Sequence, residues 1–223
     1  TNYMRDPAMA TALHQLIQLS ALPLREIETD FAVDSTGFGT STQRTWFSTK
    51  HGKEITARQW VKAHAICGVR THVITAAEVT PPNVNDSPML PELVAATAKS
   101  FEIAEVSADK GYSSKFNAEE IERHGGRPLI AFKDNTVQPP PGTAWERMWH
   151  QFAYHRDDYM DRYHKRSNVE ATFRMVKARS GDMLLSKSFA GQQTETLAKL
   201  VAHNLCVLVE AHHELGIDPV LTA

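Results

Sequence analysis

The sequence predicts an α/β domain built on a mixed five-stranded sheet, an antiparallel three-strand meander extended by parallel strands and flanked by helices. Three observations predict it. Five short apolar stretches bounded by turn residues fall before residue 134. The first three follow one another with no amphipathic helix required between them, whereas the last two are each preceded by a helical pattern. Beyond residue 144, apolar residues recur at helical spacing.

The elements follow in order. Residues 7–22 place Leu13, Leu16, Ile17 and Leu24 on one side of a short amphipathic helix that Pro23 ends. The chain begins at Thr1 within a segment already running helically, so residues 1–29 read as a helical linker remnant of an upstream region and 30–223 as the domain itself. Phe31–Val33 form a buried strand ending on Asp34, with Ser35-Thr36-Gly37 as turn chemistry. Strands over 60–67 and 72–79 are joined by a hairpin connection at Gly68–Thr71. A helix starts near Asp86-Ser87-Pro88. A fourth strand within 102–112 ends on Asp109, and a helix over 114–124 is stopped by Gly125-Gly126. Residues 127–133 make a fifth strand, and Pro139-Pro140-Pro141 a stiff connector. The chain is then helical over 145–177, in one or two pieces. A last helix near 191–214 presents Leu197, Leu200, Val201, Leu205, Leu208 and Ala211 to the core.

Composition bounds the function. The 223 residues are 42% hydrophobic and 22% charged, values of an ordinary globular domain. No apolar run reaches the roughly 18 residues that span a bilayer, and no segment reads as a signal peptide. Cys67 and Cys206 lie in apolar surroundings and read as free thiols. A net charge of −2 does not advertise nucleic-acid binding. The charge is uneven, however: residues 159–179 hold Arg162, Lys165, Arg166, Arg174, Lys177 and Arg179 against only Asp161 and Glu170.

Within that stretch, YHKRSNVEATFRMVK, the residues Tyr163, Arg166, Glu170 and Lys177 stand at offsets 0, 3, 7 and 14. In a helix those offsets fall within about 60° of one another, making one stripe of a phenol, two cations and a carboxylate. Val169, Phe173 and Val176 form a neighbouring apolar stripe that can grip a core. Asp34 and Asp109 end strands that, if parallel and adjacent, lie side by side. With Glu170 they are three oxygen donors of the kind that suits Mg²⁺ or Mn²⁺. Taken singly, each has a plainer reading: turn residue or helix cap for the aspartates, solvated helix face for the glutamate.

The joint pattern resembles the DDE transposase catalytic domain of bacterial insertion sequences, a ribonuclease H-like fold shared with retroviral integrases. The likeness covers about residues 30–210. AVDSTG around Asp34 is similar to that family's first motif and ADKGY at 108–112 to its second. Tyr163, Arg166, Glu170 and Lys177 reproduce the Y-x2-R-x3-E-x6-K signature of one branch. The resemblance implies a ribonuclease H-like fold in which Asp34, Asp109 and Glu170 bind two Mg²⁺ (or Mn²⁺) ions. Water would cut DNA at the transposon end, and the freed 3′-hydroxyl would join target DNA. Tyr163, Arg166 and Lys177 would hold phosphates of the transposon-end strand. It further implies DNA as partner, a homodimer in the reacting complex, no membrane, and a cytoplasmic, nucleoid-associated location. Relatives with this signature often carry a large β insertion before the glutamate helix. The short segment between the fifth strand and residue 150 leaves no room for one. Two alternatives stand beside this reading: a nuclease that cuts without joining, and a domesticated DNA-binding module without activity.

Lesser candidates complete the set. Lys62 and His64 alternate on a strand near the aspartates. Asn85 and Asp86 read as a helix cap. Lys133 and Asn135 could contact DNA. Trp145 and Trp149 read as a core pair rather than a base-stacking platform. His203, His212 and His213 lack a second ligand set for zinc.

Overall fold

The computed structural model describes residues 2–40, 60–133, 136–137 and 139–219. Its sheet contains β1 (Asp30–Gly39), β2 (Trp60–Gly68), β3 (Ile74–Thr80), β4 (Glu105–Ala108) and β5 (Arg127–Ile130), in the order β3-β2-β1-β4-β5. β1, β2 and β3 form an antiparallel meander, and β4 and β5 add in parallel. The helices are α1 (Pro7–Ala21), α2 (Leu90–Thr97), α3 (Lys115–Arg123), α4 (Ala144–Tyr154), α5 (Arg156–Tyr163), α6 (Ser167–Ser180) and α7 (Phe189–Leu215). This is the ribonuclease H-like mixed sheet that the sequence predicts. Residues 131–143 alone connect β5 to α4, so no inserted sheet domain is present between them.

Strand alternation divides the core in two. Phe31 and Val33 of β1 and Ile66 of β2 face a cluster completed by α2, α3, α4 and α5, including Leu93, Ile121, Trp145 and Tyr159. Ala32 and Phe38 of β1, with Val61, Ala63, Ala65 and Cys67 of β2, face α1, α6 and α7. The alanines on this second face are small enough for α6 to sit close to the sheet. Val169, Phe173 and Val176, all buried, dock there as the apolar stripe predicts. Each such burial stabilises by about 1.5–3 kcal/mol.

Three departures from the sequence reading have clear causes. β1 does not end at Asp34: Ser35-Thr36-Gly37 continue the strand, held by pairing with β2 as far as Gly39↔Trp60 and by the fully buried Phe38. The helical region 145–177 is three helices, broken at His155 (φ −131, ψ 50) and by a 3-10 turn at His164–Arg166. Finally, Leu16 and Leu205 are 45% and 49% exposed rather than buried. The seam between α1 and α7 is centred on Ile17 and Asn204, so the adjacent Leu16 and Leu205 are each turned about 100° away from it.

Asn204 does more than fill that seam. Its side-chain amide receives Ile74 N–H at 2.8 Å and donates to Ile74 C=O at 2.7 Å, pairing with edge strand β3 as another strand would. It also donates to Ser20 Oγ at 3.0 Å and Ile17 C=O at 3.3 Å. At the other end of the sheet's face, Lys199 Nζ donates to the carbonyls of Ser180, Gly181 and Met183 at 2.5, 3.0 and 3.1 Å. This satisfies the C-terminal end of α6. The following segment is stitched to β1, with Gly39 N–H donating to Asp182 C=O at 2.9 Å and Leu184 N–H to Gly39 C=O at 2.8 Å.

Asn204→Leu keeps the branching at Cγ but leaves both backbone groups of buried Ile74 unpaired. Urea denaturation is expected to show a loss of about 2–4 kcal/mol, the cost of two orphaned buried polar groups.

Candidate active site

Parallel pairing places the first two carboxylates. The β1–β4 ladder ends at Val33↔Ala108, so Asp34 and Asp109 are the next residues on two neighbouring parallel strands. Asp109 leaves β4 and caps the turn Lys110–Tyr112, its Oδ1 accepting Gly111 N–H at 2.7 Å. The turn is pinned from behind by buried Asn117, whose amide donates to Tyr112 C=O (2.8 Å), Ser87 C=O (3.1 Å) and Ser87 Oγ (3.0 Å). Glu170 stands in the first turn of α6, with its side chain half exposed.

A cation joins two of the three. Arg166 Nη1 donates to Asp34 Oδ2 at 3.1 Å and its Nη2 to Glu170 Oε1 at 2.5 Å. Asp34 Oδ1 takes Ser35 N–H at 2.8 Å. Burial pushes the Asp34 carboxyl up to about 6, opposed by the Ser35 hydrogen bond and Arg166 and reinforced by the charges of Asp109 and Glu170. Asp34 thus feels both other carboxylates. Among the described residues, no three His, Cys, Asp or Glu side chains stand close enough together to hold a metal ion.

The predicted phosphate-binding residues lie around this centre but not on one helix. Tyr163 ends α5, Arg166 closes the 3-10 turn, and Glu170 and Lys177 ride on α6. Tyr163 is half-buried beside Arg166, and burial raises its pKa. Lys177 Nζ donates to Thr36 Oγ1 at 2.7 Å and lies 5.4 Å from the Phe38 ring centroid, and burial lowers its pKa. A groove of about 580 Å³ runs between β1 and α6, lined by Asp34, Thr36, Glu170, Arg174, Lys177 and Asp182 among others. Thr36 and Asp182 escaped the sequence reading: Thr36 had been assigned to a turn, and nothing near Asp182 signals that its segment returns to β1.

The local excess of cations is largely spent inside the protein. Arg162 pairs with Glu105 at 2.6 Å and Asp158 at 3.2 Å, Lys165 with Asp30 at 2.9 Å, and Arg179 with Glu210. Arg174, exposed on the groove, has no ion pair among the described residues.

The lesser candidates resolve structurally. Asp86 makes no side-chain cap, and instead pairs with Lys62 Nζ at 2.9 Å and approaches His64 Nδ1 at 3.5 Å. His64 is fully buried with Nε2 against Thr80 Oγ1 at 2.8 Å, and burial pushes its pKa down to about 4. Trp145 is buried in the core against Phe132, while Trp149 lies partly exposed with its ring edge-on to Tyr154. His203 is buried against His72 C=O at 3.0 Å, and His212 sits near Ile217 C=O at 3.1 Å. Lys133 is exposed, and Asn135 lies outside the described residues. Cys67 and Cys206 are both free, and burial holds the Cys67 thiol up at about 12.

No helix among the described residues is long and apolar enough to cross a membrane. The mixed sheet agrees with a comparison of the whole sequence, in which residues 26–205 match the family model described as "Transposase DDE domain". That span covers well over half of the chain, so the chain belongs to the transposase DDE domain family, and transposition is the class of function its membership supports.

Proposed function

We propose that this domain cleaves DNA at insertion-sequence ends and joins the resulting 3′-hydroxyl to target DNA by two-metal-ion phosphoryl transfer. The observation that carries the reading is the convergence of Asp34 and Glu170 on one cationic group beside Asp109, at the head of a groove with Lys177 and Arg174 on its wall. The all-oxygen donor set suits a hard divalent ion. Asp34, Asp109 and Glu170 would hold Mg²⁺ or Mn²⁺, which when bound supplies activation of the attacking oxygen and charge stabilisation at the leaving oxygen.

The remaining work falls to the chain itself. Lys177 is a point charge braced by Thr36, able to hold a phosphate at a fixed height in the groove. The Arg166 fork can bind a phosphate through two oxygens, and Tyr163 beside it can add a donor. A strand held along this track would present its transposon-end phosphodiester to water, and the 3′-hydroxyl so freed would then attack a phosphodiester of target DNA, releasing the target strand's own 3′-hydroxyl. Since two transposon ends must meet, the reacting assembly would contain at least two copies of the chain.

With a labelled transposon end and Mn²⁺, Asp34→Asn, Asp109→Asn and Glu170→Gln are each expected to lower cleavage on the order of 100-fold or more. Full cleavage by any one of them removes that residue from the site. Cleavage by the unmutated protein with no joined product would leave a nuclease instead. Lys177→Ala is expected to weaken DNA binding across sequences and to lower the salt slope of log K by about 1.

A pH dependence follows from Asp34. Because its folded pKa of about 6 lies above the ordinary 3.8, its contribution to stability is present below pH 3.8 and lost as pH rises through about 6. In EDTA, Asp34→Asn should therefore be more stable than the unmutated protein at pH 8, by about 1–3 kcal/mol. The gap should shrink at pH 5, and Mn²⁺ should reverse the order at pH 8. Paired urea titrations at the two pH values read out both effects.

A further inference from the structure

We propose that Arg166 couples occupation of the acidic site to engagement of the DNA backbone. Its guanidinium ties Asp34 to Glu170 in the DNA-free protein and moves to a phosphate when a divalent ion takes its place. The inference rests on the proposed metal site and assigns a coupling between its ion and the DNA backbone.

The geometry is that of a single cation shared by two acids. One nitrogen of Arg166 reaches Asp34 on β1 and another reaches Glu170 one helical turn away, at 3.1 and 2.5 Å. Among the described residues, Arg166 has no other ion-pair partner. Its neighbours Arg162 and Lys165 are committed instead to Glu105, Asp158 and Asp30, carboxylates that Arg166 does not share. Arginine does not lose its proton in a protein, so the positive charge cannot be removed from the site by titration. A divalent ion on the same carboxylate oxygens would face a like charge within a few ångströms, and one of the two must leave.

Without DNA the displaced guanidinium has only solvent to receive it, and the ion competes with a well-placed fork. With DNA in the groove, a phosphate offers that fork two oxygens. Each ligand then makes room for the other. By linkage, DNA must raise the affinity for the ion by the same factor as the ion raises the affinity for DNA. The consequence is a domain that carries little metal until a strand is in place. Lysine could not substitute, because a point charge cannot span Asp34 and Glu170 as the planar fork does.

The test is Mn²⁺ binding, followed by the electron paramagnetic resonance signal of free Mn²⁺. It is made with and without a mixed-sequence DNA duplex at low salt, since the coupling runs through backbone phosphates. The unmutated protein is expected to bind Mn²⁺ about 10-fold more tightly with DNA. Arg166→Gln should bind about 10-fold more tightly than the unmutated protein in the absence of DNA, and should gain less than about twofold when DNA is added. Arg166→Lys, which keeps the charge but not the bridge, should also bind Mn²⁺ more tightly without DNA. If both variants bind Mn²⁺ no better than the unmutated protein while Asp34→Asn binds none, the coupling is wrong and the metal site stands. If Asp34→Asn binds Mn²⁺ as well as the unmutated protein does, the metal site is wrong and the coupling falls with it.

Discussion

Everything at the acidic end of this domain depends on a short parallel ladder between β1 and β4. Only the pairs from Asp30↔Glu105 to Val33↔Ala108 are made, and the ladder ends one residue before each aspartate. Were β4 to slip by one residue, Asp109 would shift along the strand direction and its neighbours would exchange faces. The ladder's other end carries its own charges. Asp30 and Glu105, paired there, draw in Arg162 and Lys165. A four-residue strand therefore has carboxylates at both ends, one set neutralised by Arg162 and Lys165 and the other facing Arg166.

The second constraint is the rotation of α6. Val169, Phe173 and Val176 bed on a floor of alanines, and this sets the direction of Glu170 and Lys177. The helix is joined to α5 by a tight 3-10 turn rather than a continuous helix. Arg166 stands at that turn, four residues before Glu170, on the side facing Asp34. Apolar packing thus sets the polar geometry, and the buried contacts need not resemble the chemistry they support.

Much of this was legible in the sequence, for identifiable reasons. The division into an antiparallel meander and parallel strands follows from where helical patterns separate the apolar runs, and the anchoring stripe of α6 from simple periodicity. Asp34, Asp109 and Glu170 are each ambiguous alone, and order, spacing and resemblance together single them out as candidates. What stayed hidden was non-local. The i, i+4 pairing of Arg166 with Glu170 could be written down from spacing, but its bond to Asp34 crosses most of the chain. The cationic cluster at 159–179 looked like an open positive face because its neutralising partners, Asp30, Glu105 and Glu210, lie far away in sequence. β1 was cut short because Ser-Thr-Gly is turn chemistry by local rule, while pairing with β2 and the burial of Phe38 override that rule.

The stitch between Gly39 and the Asp182–Leu184 segment makes β1 and the far end of α6 parts of one frame. Lys199 holds the carbonyls at the end of that helix, and the next residues are bonded back onto the strand that carries Asp34. A helix stitched to β1 beyond its C-terminal end and bedded on the sheet through Val169, Phe173 and Val176 has little freedom to swing. Change at the acidic centre is therefore confined to side chains, a movable arm on a fixed chassis. Empty and loaded forms of such a domain would share one backbone, and crystals of the first could take up ions without cracking.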